Sequence, residues 1–222
     1  MKQKVNTVVF ATMYAAVSGL ASAASFDCGK ASKPLEKLIC SNPELDAADA
    51  KMGELYKQAN SAFPLKGFVP VTQKYFVSNY GACLYDGRTG KPQADNAAVG
   101  RCIKSVNERN AELQSYLQAK VYSNAPGKYD QEELAILVYA INGKNMVRLW
   151  GNWMHDAYNP KPFPSGVVCD ISTQLIPTKG GFKTDQTDDV VIQVTDSNVN
   201  LNGSIMCTPR TSISEGSYKR VR

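Results

Sequence analysis

Six cysteines set behind a largely apolar leader restrict the folding of this chain more than any other feature. They stand at Cys28, Cys40, Cys83, Cys102, Cys169 and Cys207. None belongs to a Cys-x-x-Cys pair, which argues against zinc-ribbon and dithiol-redox chemistry. The leader explains their even count. Met1-Lys2-Gln3-Lys4 is a short basic start, Val5 to Leu20 carries no charge, and Ala21-Ser22-Ala23 places small residues where a signal peptidase needs them. That order reads as a secretory signal over residues 1–24, with cleavage after Ala23 or Ala24. A membrane anchor needs about 20 strongly apolar residues, and Asn6, Thr7, Thr12 and Ser18 dilute this run. No later stretch is apolar enough to span a bilayer, so the mature chain is expected to be soluble, periplasmic or secreted, with structural disulfides.

Charge and histidine content exclude further classes. Loss of Lys2 and Lys4 takes the formal charge from +5 to about +3, too small and too dispersed for a nucleic-acid surface. His155 is the single histidine, so a histidine-rich metal site is not expected. No phosphate-binding loop or Ser-His-Asp set is present. No metal or cofactor is expected, and no catalytic residue is assigned.

Two halves follow different rules. From Ser32 to Lys120 the apolar positions recur at helical spacing. Ser32-Lys33-Pro34-Leu35-Glu36 reads as a helix start with Ser32 as the cap. Leu35, Leu38 and Ile39 share one face. Leu45, Ala48, Met52, Leu55, Tyr56 and Ala59 mark a second helix to about Phe63. Val71 to Cys83 forms a third, and Ala97 to Ala119 a fourth, with Cys102, Val106, Leu113 and Tyr116 on its apolar side. Ser123 to Asp130, with Pro126-Gly127, reads as a linker.

Beyond it, over 131–222, the pattern turns to short strands. Ile136 to Ile141 and Met146 to Trp150 flank Asn142-Gly143, a pair suited to the positive φ angles of a tight hairpin. Val167 to Ile171, Val190 to Thr195, Val199 to Leu201 and Ser204 to Cys207 supply more strands, and Gly216 to Val221 a closing one. The expected fold class is α+β: a disulfide-stapled helical module over 25–122, then a small antiparallel sheet or barrel.

The cysteines divide between the halves. Cys28–Cys40 and Cys83–Cys102 would each staple a local segment, whereas crossed pairing between these two sets would tie helices together; spacing leaves both open. Cys169 and Cys207 are expected to pair with each other, a bridge contributing roughly 3–4 kcal/mol in the chain-entropy model.

A family resemblance rests on specific residues of the helical half. Phe26-Asp27-Cys28-Gly29-Lys30-Ala31 leads through Pro34-Leu35-Glu36-Lys37-Leu38-Ile39-Cys40 into Asn42-Pro43-Glu44-Leu45. A second set is Asn79-Tyr80-Gly81-Ala82-Cys83, then Arg101-Cys102-Ile103 and Asn107 to Leu113. Over residues 26 to 117 the chain resembles the N-terminal domain of LprI-like lysozyme inhibitors. It departs from their pattern in carrying Tyr75-Phe76 where a tryptophan is usual, and in a longer loop between Cys83 and Cys102. The resemblance implies an extracytoplasmic helical module and a lysozyme as target.

Candidate functional residues are few. Thr178-Lys179-Gly180 lies in an expected exposed turn and resembles the Thr-Lys-Gly loop of small β-barrel inhibitors of C-type lysozymes. A rigid loop of this kind would carry Lys179 to the paired carboxylates of a glycosidase cleft. His155 beside Asp156 lacks a specified nucleophile, and Glu132-Glu133 beside Asp130 reads as a helix N-terminal turn or a solvated face. The expected function is therefore binding and inhibition of a protein, a lysozyme or another cell-wall hydrolase. The alternative is a periplasmic immunity or envelope-assembly protein with one dedicated partner.

Overall fold

Prolines and short polar side chains set where the helices begin. Pro34–Ser41 (α1) and Pro43–Ala62 (α2) each start on a proline, whose missing N–H is one the first turn does not need. Asn42 caps α2 by accepting from the Leu45 amide at 3.0 Å. Asp95 does the same for Asn96–Tyr116 (α4), accepting from Ala98 at 2.9 Å. Phe68–Tyr80 (α3) begins before Val71 because Pro70 falls within its first turn, where no intrahelical donor is lost. Ser32 is not the cap of α1: Lys33 occupies that place, and Glu36 accepts from the Ser32 and Lys33 amides at 2.9 and 3.0 Å.

The computed structural model describes residues 25–65, 67–86, 90–91, 95–123, 132–153, 167–185, 190–203, 205–208, 211–213 and 215–221, and at 132–134, 152–153, 167–169, 206–208 and 211–213 the backbone alone. Two bridges staple the helices, Cys28–Cys40 and Cys83–Cys102. Both are local, so the crossed alternative is not used. Cys169 and Cys207 have described backbone only, in strands that lie against each other, and their pairing falls outside the described residues. No helix among the described residues is long and apolar enough to cross a membrane.

The strands are Lys120–Ser123 (β1), Glu132–Ile141 (β2), Lys144–Trp153 (β3), Val167–Thr178 (β4), Gly181–Thr184 (β5), Val191–Val194 (β6), Asn198–Asn202 (β7), Ile205–Thr208 (β8), Thr211–Ile213 (β9) and Gly216–Arg220 (β10). Eight of them close an antiparallel barrel in the order β1-β10-β7-β6-β5-β4-β3-β2, while β8 and β9 form a separate two-stranded ribbon. Closure removes the exposed edges an open sheet of this size would present. Asn142 and Gly143 both take positive φ, 51° and 74°, the geometry of a two-residue hairpin. Asn202-Gly203 makes no such hairpin, since β7 pairs with β6 and β10 instead of β8.

Two readings of the sequence change here. Residues 120–123, assigned across the helical half and the linker, are a barrel strand paired with β2 and β10. Glu132 and Glu133 open β2, opposite Trp153 and Asn152, and not a helical turn; ten consecutive partners in β3 fix that conformation.

The barrel wall also explains an apolar run with no alternation. Successive strand residues point to opposite faces. Ile136, Val147 and Leu149 fill the barrel with Tyr122, Ile192, Leu201 and Tyr218. Ala135, Leu137, Tyr139 and Trp150 point outward and join the core of the helices with Leu55, Phe63, Phe68 and Tyr116. Residues 135–137 of β2 and 147–151 of β3 are therefore buried on both faces, as in a strand covered on two sides.

Candidate functional site

Strand direction alternates around the barrel, so the β2–β3, β4–β5 and β6–β7 turns all emerge at one rim. Thr178, Lys179 and Gly180 lie at the β4–β5 turn and are exposed. Two features stiffen it. Gly181 has φ 144°, and a Cβ there would meet the Ile192 carbonyl oxygen at 2.8 Å, so only glycine lets β5 approach β6 this closely. The Gln193 side-chain amide donates to the Gly180 carbonyl at 3.2 Å. Lys144 is exposed beside the neighbouring β2–β3 turn, two strand spacings or about 10 Å around the rim. Neither Lys144 nor Lys179 has an ion-pair partner among the described residues. At the third turn Asp196 is occupied by Lys120, at 2.7 Å. Among the described residues, the rim therefore presents Lys144 and Lys179 without ion-pair partners, on short turns.

A second cluster, not anticipated from the sequence, lies where the helices meet the barrel. Arg148 of β3 points outward from the barrel and is 7% exposed. Its Nε and Nη2 donate to the two Asp170 oxygens at 2.5 and 2.6 Å, a bidentate pair, and Nη1 donates to Glu112 and the Tyr116 hydroxyl of α4. Arg109, 3% exposed, donates to the other Glu112 oxygen at 2.6 Å, to Gln73 at 3.0 Å and to Thr72 at 3.1 Å. Tyr116 donates to Glu112 at 2.6 Å. The two guanidiniums also lie over rings, Arg148 at 5.4 Å from Phe68 and Arg109 at 5.8 Å from Phe76.

Titration in this cluster follows from its geometry. Burial acts to raise the Glu112 carboxyl, but the charges of Arg148 and Arg109 and the Tyr116 hydroxyl overcome it and hold the group below its ordinary value. Burial pushes Tyr116 and Tyr139 upward. Burial opposes the Arg148 charge, yet hydrogen bonds to Asp170 and its other anionic neighbours raise its proton affinity. Every shift moves away from neutrality. The bonds of Arg148 to Glu112, Tyr116 and Asp170 fasten α4 to β3 and β4. Beside it opens a cleft of about 390 Å³, with Phe76, Glu108, Arg109, Tyr139 and Ser172 in its lining.

His155 and Asp156 lie outside the described residues, as does Asp130, and Glu132 and Glu133 are described by backbone alone. No group of three or more His, Cys, Asp or Glu side chains able to hold a metal ion occurs among the described residues. The junction cluster did leave a trace in the sequence: a lone charge, Arg148, inside Met146 to Trp150, and Arg109 and Glu112 on the apolar face of α4. A charge in a buried stripe requires a partner.

No family model, curated protein or solved structure matches the chain.

Proposed function

We propose that this is an exported binding protein that inhibits a lysozyme or another cell-wall hydrolase, with the β4–β5 turn as its contact. The observation that carries the reading is the presentation of Lys179: exposed, without an ion-pair partner among the described residues, and on a turn held by Gly181 and Gln193. Glycosidase clefts contain a pair of carboxylates on the order of 5–10 Å apart, and a preorganised ammonium entering such a cleft loses little conformational freedom on binding. Lys144 on the adjacent turn adds positive potential to the same rim. The disulfide-stapled helices and the LprI-like residue pattern of 26–117 support the same class of target. Closed bridges accord with an oxidising compartment, and the periplasm is the proposed location.

A second reading, a dedicated envelope partner, draws support from α3. Tyr75 and Val77 are 71% and 56% exposed, and Val71 and Tyr85 are exposed too, which leaves several large apolar side chains of the helical half in solvent. The test that separates the two uses the whole mature chain in a turbidity assay against C-, G- and I-type lysozymes. Slowed clearance with any of them supports inhibition. Undiminished activity of all three, with one envelope protein co-purifying through α3, overturns it in favour of the second reading.

A further inference from the structure

Asp49 is the most heavily buried carboxylate among the described residues, 2% exposed on the inner face of α2 in line with Leu45 and Met52. An ionised carboxylate in such a place needs a cation, or it is costly to bury. Among the described residues no Lys or Arg forms an ion pair with it. The lysine that shares its cleft, Lys33, pairs with Glu36 at 3.8 Å. Its donors come instead from one residue: the Ser25 backbone nitrogen at 2.9 Å and the Ser25 hydroxyl at 2.7 Å, both to the same oxygen.

α2 is shaped to receive that residue. Gly53, one turn beyond Asp49, lies under Ser25, and a Cβ at Gly53 would come within 3.1 Å of the Ser25 Cβ. Glycine inside a helix weakens it relative to alanine, so its presence at this point is explained by the close approach of the N-terminal segment. Ile39, Met52 and Tyr80 share the cleft of about 670 Å³ around the pair. Burial and the Asp49 charge both push the Tyr80 hydroxyl upward, so that group stays protonated and adds no second negative charge beside Asp49.

Ser25 is also the residue that follows Ala24 in the leader. We infer that the chain is processed between Ala24 and Ser25, and that the α-ammonium this frees is the missing counter-ion of Asp49, so that processing completes the helical core. A signal peptidase adds water across the Ala24–Ser25 peptide bond. Ala24 leaves as a carboxylate, and the Ser25 nitrogen becomes an amine that takes up a proton at neutral pH. A neutral amide donor 2.9 Å from Asp49 thereby becomes a charged one, which strengthens the hydrogen bond and compensates the buried charge. The inference is independent of the inhibitory reading of the rim.

Two measurements test it. The first is the intact mass and N-terminal sequence of the protein exported with its own leader; Ser25 is expected at the terminus, and any other first residue overturns the inference. The second compares thermal unfolding of chains beginning at Ser25 and at Ala23, each with Asp49 and with Asp49→Asn. Asparagine keeps an acceptor and loses the charge. The substitution is expected to lower the melting temperature by several degrees in the Ser25 chain and distinctly less in the extended one, and equal losses overturn the ion pair. Should the Asp49→Asn chains fail to fold, acylation of the Ser25 α-amine in the wild-type chain decides: slower labelling than in urea-unfolded protein is expected, and an equal rate contradicts burial on Asp49.

Discussion

Arg148 shows how much of this fold rests on single side chains placed at a boundary. It reaches Asp170 on its own barrel wall and Glu112 and Tyr116 on α4, so its removal takes the bidentate partner from Asp170 and leaves Glu112 with Arg109 and Tyr116 alone. Arg148→Met is expected to cost about 3 kcal/mol in urea unfolding, toward the low end of buried-pair losses because Glu112 and Asp170 each retain 26% side-chain exposure. Arg148→Lys should recover little, since an ammonium cannot make the bidentate contact. Gly181→Ala is the corresponding test at the rim. With φ at 144° and the Ile192 carbonyl at 2.8 Å, the methyl group forces β5 away from β6, and a loss of about 1–3 kcal/mol is expected. The same residues show what could be read beforehand. Asn142-Gly143 announced its hairpin because the turn conformation is local. Arg148 announced only that a partner was needed, because its partners are 22 to 36 residues distant in the chain.

Among the elements, α4 connects everything: it is bridged to the turn after α3 by Cys83–Cys102, packs on α2, and supplies Glu112 to the barrel. Converting Cys83 and Cys102 to serine is expected to lower stability by roughly 3 kcal/mol, given the 19-residue separation, measured by denaturant unfolding under non-reducing conditions. Acid should weaken the junction. The Glu112 carboxyl is depressed in the fold, so its contribution is complete above the unfolded carboxyl value of about 4.3 and is lost as pH falls through the lower folded value. The stability difference between wild type and Glu112→Gln should thus be largest near neutrality and shrink on acidification. A difference independent of pH would show that Glu112 acts through shape alone. Helix positions were legible because their stripes repeat at three and four residues, with Ile39, Met52, Leu55 and Val106 buried as the pattern requires. The start of the barrel was not: β1 is four residues long, and its pairing with β10, nearly a hundred residues away, leaves no local sign.

At the scale of the molecule, the helices and the barrel share a core instead of meeting as finished domains. Trp150 lies 5.6 Å from Phe68 and Tyr139 lies 6.0 Å from Tyr116, edge to face in both cases. The barrel's outer wall is thus part of the helical core, and a barrel produced alone would expose Trp150 and Tyr139 and leave Arg148 with Asp170 but without Glu112 and Tyr116. Calorimetry of the whole chain should show one cooperative transition with equal calorimetric and van't Hoff enthalpies; two resolved transitions would indicate independent halves. The unalternating run from Ile136 to Ile141 carried this information, since a strand apolar on both faces must be covered on both, but it did not identify the cover. With the helices fixed to one side, the rim with Lys144 and Lys179 is held on a rigid body. The most direct measurement is the inhibition constant of the whole chain against C-, G- and I-type lysozymes, beside Lys179→Ala and a control on another element, Lys51→Ala on α2. The rim reading predicts a loss of about thirtyfold or more for Lys179→Ala and unchanged potency for the control; equal potency of all three would contradict it.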